Sequence, residues 1–143
     1  MKRILMLAFA AALSLGASAC QDTTSPGAVL SGTYTLRTVN GQQPPVIVYA
    51  DPSVRTEVLS GEIEINRDGT FTDVVTERDT PTGGVPGIPY DDVIYGTWAL
   101  SGSTLQFTDT QHPGNQYLAT VDGGQLYFVN YANGSQYTLV YAK

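Results

Sequence analysis

Two side chains that often carry chemistry, a thiol and an imidazole, occur once each, at Cys20 and His112. A lone cysteine excludes an intrachain disulfide, and no His/Cys spacing fits zinc. His112 stands in Gln-His-Pro-Gly, a turn sequence in which an imidazole is normally solvated. There is no glycine-rich phosphate loop and no serine in a nucleophile elbow. Carboxylates are the plentiful groups. Glu62 and Glu64 share one face of an alternating run, and Asp91-Asp92 open another. Carboxylates ~5–10 Å apart suit glycoside hydrolysis. Glu62 and Glu64, however, alternate with Ile63 and Ile65, which marks theirs as the solvated face of a strand. Asn66-Arg67-Asp68-Gly69 and Asp122-Gly123-Gly124 lack the Asp/Asn ladder and terminal Glu of a calcium-binding loop, and read as hairpin turns. No enzymatic activity, metal or cofactor is therefore expected.

The apolar side chains are more suggestive. Tyr34, Leu36, Ile65, Phe71, Trp98, Phe107 and Phe128 fall on inward positions of alternating segments. They form either a packed core or the lining of a partly open mouth for a small hydrophobic ligand. Tyr95, Tyr117, Tyr127, Tyr131, Tyr137 and Tyr141 crowd the last segments, where they suit cross-strand packing or contact with proteins and glycans.

The elements that position these residues read as a train of strands. Thr33–Val39 alternates and ends at an Asn40-Gly41 turn. Val46–Ala50 is short and β-branched. In Glu57–Asn66, Leu59, Gly61, Ile63 and Ile65 share a face. A three-residue bulged loop then brings Ile65 opposite Phe71 at the start of Thr70–Arg78. Asp79–Pro89, with Pro81, Pro86 and Pro89 among Gly83, Gly84 and Gly87, reads as the one long loop. Strands follow at Val93–Leu100, Thr104–Thr110, Gln116–Val121, Gln125–Tyr131 and Gln136–Ala142, joined by tight turns. Short turns make sequential antiparallel neighbours. Exposed sheet edges invite aggregation, and closure removes them. The expected fold is all-β, an antiparallel up-and-down barrel of about eight strands, with a short ninth allowed. A two-sheet sandwich is the alternative. Outward Thr, Glu and Gln do not supply the apolar band of a membrane-spanning barrel.

The first residues give an address. Lys2 and Arg3 precede an apolar run, Ile4–Leu15, and then small residues Gly16–Ala19. This is the plan of a secretory signal, and the run is shorter than the ~20 residues of a membrane span. Ala17-Ser18-Ala19 before Cys20 resembles the lipobox of bacterial lipoproteins, with Ala17 where that family usually has Leu. The resemblance implies lipidation of Cys20 and, with Gln21 next, outer-membrane rather than inner-membrane retention. The alternative is cleavage after Ala19 and simple secretion. On the anchored reading, residues 1–19 are the signal, 20–30 the lipidated cysteine and a flexible tether, and 31–143 the domain.

The chain carries 7 basic and 13 acidic residues. Loss of Lys2 and Arg3 makes the remainder more acidic still, and leaves Lys143 as its only lysine. Such a balance excludes nucleic acid as a partner and disfavours docking to anionic lipid.

Three segments together resemble small bacterial lipoproteins with a lipocalin-like domain. They are Gly32–Gly41 with Pro44-Pro45 behind it, Gly61–Phe71, and Gly96–Phe107, which holds Gly96-Thr97-Trp98. The resemblance implies a small calyx-type barrel. Lipocalins carry Gly-x-Trp on their first strand, whereas here it lies mid-chain. The expected function is that of a non-enzymatic, envelope-anchored lipoprotein. Its partners would be the membrane, through Cys20, and a small apolar ligand. The rival expectation is a filled barrel serving as an interaction or inhibitor module toward another envelope protein.

Overall fold

The computed structural model describes residues 26–132 and 135–143. A single helical turn, α1 (Pro26–Leu30), leads into nine strands: β1 (Gly32–Val39), β2 (Val46–Ala50), β3 (Val54–Ile65), β4 (Thr70–Pro81), β5 (Tyr90–Ser101), β6 (Thr104–Asp109), β7 (Gln116–Asp122), β8 (Gln125–Ala132) and β9 (Ser135–Ala142). The signal segment and Cys20 lie outside the described residues.

All pairings between these strands are antiparallel. From β3 to β9 each strand pairs with the next. β9 pairs with β1, and β1 returns to β3, so eight strands close a barrel and the short β2 is the extra one. β1 and β2 share one edge of β3. Gly32–Thr35 pairs with Glu62–Ile65, and Val46–Ala50 pairs with Arg55–Val58. Alternation of side chains across the pleat puts Tyr34, Ile63, Ile65, Phe71, Leu105, Phe107, Leu126, Phe128 and Tyr141 inside, all buried. Glu62 and Glu64 face solvent.

The turns follow their residues. Asn40 (φ 51°) and Gly41 (φ 77°) both have positive φ, and Val39 and Gln42 exchange two backbone hydrogen bonds across them. This is the type I′ hairpin turn that Asn-Gly favours. The loop after β3 brings Ile65 opposite Phe71, as the alternation predicts.

Three differences from the sequence reading have local causes. A bulge between Val58 and Ser60 shifts the inward face, so Val58 is buried and Leu59, expected inside, is only half-buried. The hairpin of β3 and β4 extends to Val54 and Pro81, because Arg55, Thr56 and Glu57 find register partners in Thr80, Asp79 and Arg78. The Thr56 hydroxyl donates to Asp79 Oδ1 (2.7 Å), and Arg78 Nη2 donates to Glu57 Oε2 (2.8 Å). The irregular connection is therefore 82–89. Finally, Pro26–Leu30, read as the end of a tether, is helical and buries Leu30.

Candidate ligand-binding site

Two ends of the barrel differ in what covers them. At the end where β1 begins, α1 lies across the opening. The Tyr34 hydroxyl donates to the Leu30 carbonyl (2.9 Å), and Lys143 Nζ donates to the carbonyls of Val29 (3.0 Å) and Ser31 (2.9 Å). The Lys143 cation sits at the helix C-terminus, where the backbone carbonyls favour positive charge, and 4.9 Å above the Tyr34 ring. Trp98 reaches under the helix. Its indole Nε1 donates to the Asn66 carbonyl (2.9 Å), and its ring packs near Gly27. β5 approaches β6 so closely at Gly96 that a Cβ there would stand 1.9 Å from the Thr108 carbonyl oxygen. This end is a packed plug.

The other half is hollow. A pocket of about 200 Å³ lies here, and its lining extends along β4 and β5 to Glu77 and Asp92, near where these strands meet the 82–89 loop. Its floor is an aromatic chain across four strands. The rings of Phe71 and Phe107 stand 4.8 Å apart edge to face, Phe107 and Phe128 are 5.5 Å apart, and Phe128 and Tyr141 are 5.6 Å apart. Such spacings lie in the favourable range for aromatic pairs. Leu36, Ile63, Val75 and Leu139 form apolar walls.

Polar groups enter from β4 and β5. Counting by two from buried Phe71, the inward positions of β4 are Asp73, Val75 and Glu77; Asp92 lies opposite Val75 on β5. All four line the pocket, together with Tyr117, Tyr137 and Tyr141. Asp73 is half-buried, with Oδ1 fully enclosed and without a hydrogen-bond partner. Burial first, and then the Asp92 charge, push its carboxyl up to about 7. Burial also raises Glu77, against the hydrogen bond it accepts from the Tyr90 hydroxyl (3.2 Å). Tyr141 is 1% exposed, and its hydroxyl has no partner. That hydroxyl lies over Gly61, where a Cβ would stand 3.0 Å away. Burial and the Asp73 charge hold Tyr141 well above the usual phenol range. No Lys, Arg or His lines the pocket. Among the described residues, no three His, Cys, Asp or Glu side chains are grouped so as to hold a metal ion.

The residues singled out in the sequence divide between the two halves. Leu36, Phe71, Phe107 and Phe128 line the pocket. Tyr34 and Trp98 belong to the plug. Ile65, 1% exposed and opposite Gly32 and Phe71, packs in the core outside the pocket lining. Cys20 is outside the described residues. Glu62 and Glu64 face outward, and Asp91 accepts a hydrogen bond from the Thr76 hydroxyl (2.8 Å). His112 is exposed in the β6–β7 turn, its Nδ1 2.9 Å from Oδ2 of the buried Asp109. Sequence reasoning missed Asp73 and Glu77. The signal was the same alternation that placed Phe71, carried two and six residues further along β4.

No protein-family model matches the chain, and no curated protein is significantly similar to it.

Proposed function

We propose that this chain is a non-enzymatic, envelope-anchored lipoprotein that holds a small, largely apolar ligand in the open half of its barrel. The observation that carries this reading is the pocket of about 200 Å³ above the aromatic floor. Interior voids cost stability, and a barrel that served only to display its outer surface has no use for one. Eight strands enclose a space that side chains fill or that holds one small ligand. The lipobox-like stretch ending at Cys20 supports the anchor.

A second reading has one observation in its favour. Val85 and Ile88, in the 82–89 loop, are 83% and 90% exposed. Exposed apolar side chains at a loop tip suit contact with another envelope protein.

Native mass spectrometry on protein extracted gently from its own membrane tests both. The expected result is a chain beginning at lipidated Cys20 with a bound small molecule. That molecule should be lost in Val75→Phe, which fills the pocket. Lipidated protein with nothing bound favours the interaction module. An unmodified Cys20 overturns the anchored reading.

A further inference from the structure

We propose, resting on the ligand-binding reading above, that the pocket is selective for an organic cation: a protonated amine on a compact aromatic or aliphatic body.

The charge of the pocket lining is one-sided. Asp73, Glu77 and Asp92 line the pocket from two neighbouring strands, and no cationic side chain lines it with them. The described cations have partners elsewhere. Arg55 and Arg78 face Glu57, and Arg67 bonds to the Ser31 hydroxyl. Arg37 bonds to the Lys143 carbonyl, and Lys143 is held by α1. A carboxylate drawn out of water without a counter-ion is costly, and an entering cation offsets that cost.

Two polar atoms of the lining residues also lack partners. The hydroxyl of Tyr141, a residue 1% exposed, has no hydrogen-bond partner, and neither has Asp73 Oδ1. Buried polar atoms nearly always have partners. Both residues line the same hollow. An ammonium group brings several donors and no acceptor, which matches a carboxylate oxygen and a phenol oxygen. Phe107, Phe128 and Tyr141 also line the pocket, and aromatic rings attract a cation brought over their faces. Burial and the Asp92 charge raise Asp73, and a cation placed beside it would oppose both effects.

The lining and volume of the pocket limit the kind and size of the cation. The carboxylates share the pocket with aromatic and aliphatic side chains, and among the described residues no three His, Cys, Asp or Glu side chains are grouped to hold a metal ion, so the lining fits an organic cation. A cavity of ~150 Å³ accommodates benzene. The present volume therefore suits one ring, or its aliphatic equivalent, with a short amine arm.

Isothermal titration of the full chain at pH 8 with three probes of one shape tests the inference: 2-phenylethylamine, 2-phenylethanol and 3-phenylpropanoate. The amine should bind at least about tenfold more tightly than the alcohol, with the carboxylate weakest. Asp73→Asn should bring amine and alcohol to within about threefold of each other, mainly by weakening the amine. Near-UV circular dichroism checks that this variant is folded. Tyr141→Phe, which keeps the ring, should weaken the amine by several-fold. Equal or better binding of the alcohol overturns the cation inference and leaves the pocket reading standing. An amine preference that survives in Asp73→Asn, Glu77→Gln and Asp92→Asn also overturns it. Failure of all three probes to bind overturns both.

Discussion

The two halves of the barrel interior are built from the same strands by the same alternation, yet one is solid and the other hollow. Toward α1 the inward side chains are Tyr34, Ile65, Trp98, Leu105 and Leu126, and a helical turn seals them. Toward the 82–89 loop the inward positions of β4 and β5 pass to Asp73, Glu77 and Asp92. Large apolar side chains meet at the axis and fill it. Short carboxylates neither reach across nor tolerate close approach to one another, so the space between them stays open. The aromatic chain from Phe71 to Tyr141 is the boundary. The comparison separates two kinds of residue: those that hold the barrel together and those that shape what it holds.

The largest effect should come from breaking the boundary. Phe107 is 1% exposed and touches both Phe71 and Phe128. Phe107→Ala should cost ~3–5 kcal/mol of stability and merge the two regions, measured by chemical denaturation.

Next comes a substitution in the hollow half that should stabilise. The folded protein keeps the Asp73 proton up to about pH 7, whereas the unfolded chain releases it near the ordinary carboxylate value. Between those values the folded state binds more protons, so stability falls as pH rises and levels off above about 7. The groups facing Asp73 around the pocket are Glu77 on its own strand, Asp92 on β5, Tyr117 on β7, and Tyr137 and Tyr141 on β9. None of them brings positive charge. Burial moves Glu77 the same way, so its contribution has the same sign. Asp73→Asn should therefore be more stable than the parent at pH 8 by on the order of 2–4 kcal/mol, with little difference at pH 4. A pH series of urea midpoints checks this. Parallel curves for the two proteins would mean that Asp73 is well solvated.

A smaller effect is expected at the plug. Trp98→Phe removes the bond to the Asn66 carbonyl and should cost ~1–2 kcal/mol, leaving probe binding unchanged. A change in binding would mean that the two ends are coupled. Smallest of all, Glu62→Gln with Glu64→Gln should stay within ~0.5 kcal/mol in the same denaturation assay, because both side chains face solvent on the outer surface.

Much of the architecture was legible from period-two alternation and turn chemistry. Asn40-Gly41 set a hairpin turn, and the loop before Thr70 set Ile65 against Phe71, because these are local preferences over a few residues. Where a strand ended was less legible. Thr56 and Asp79 stabilise the far end of the β3–β4 hairpin through a contact between residues 23 apart, which no local window contains. The Leu59 bulge was invisible for the same reason: an extra residue is accommodated only against a partner strand.

For the site, the sequence by itself determined that aromatic side chains at Phe71, Phe107 and Phe128 would face inward, since alternation is a property of the strand alone. It also determined that Glu62 and Glu64 would face out. Only the tertiary structure decided which inward residues meet and which merely fill. Trp98 became part of a plug because α1 folds back over it, and Tyr141 came to line the pocket because β9 closes onto β1 beside Gly61. Asp73 acquired its displaced acidity first from burial and then from the charge of Asp92 on the neighbouring strand. Period-two alternation assigns a side chain to a face; closure of the sheet then sets how far that face lies from the others, and that distance separates a core from a pocket.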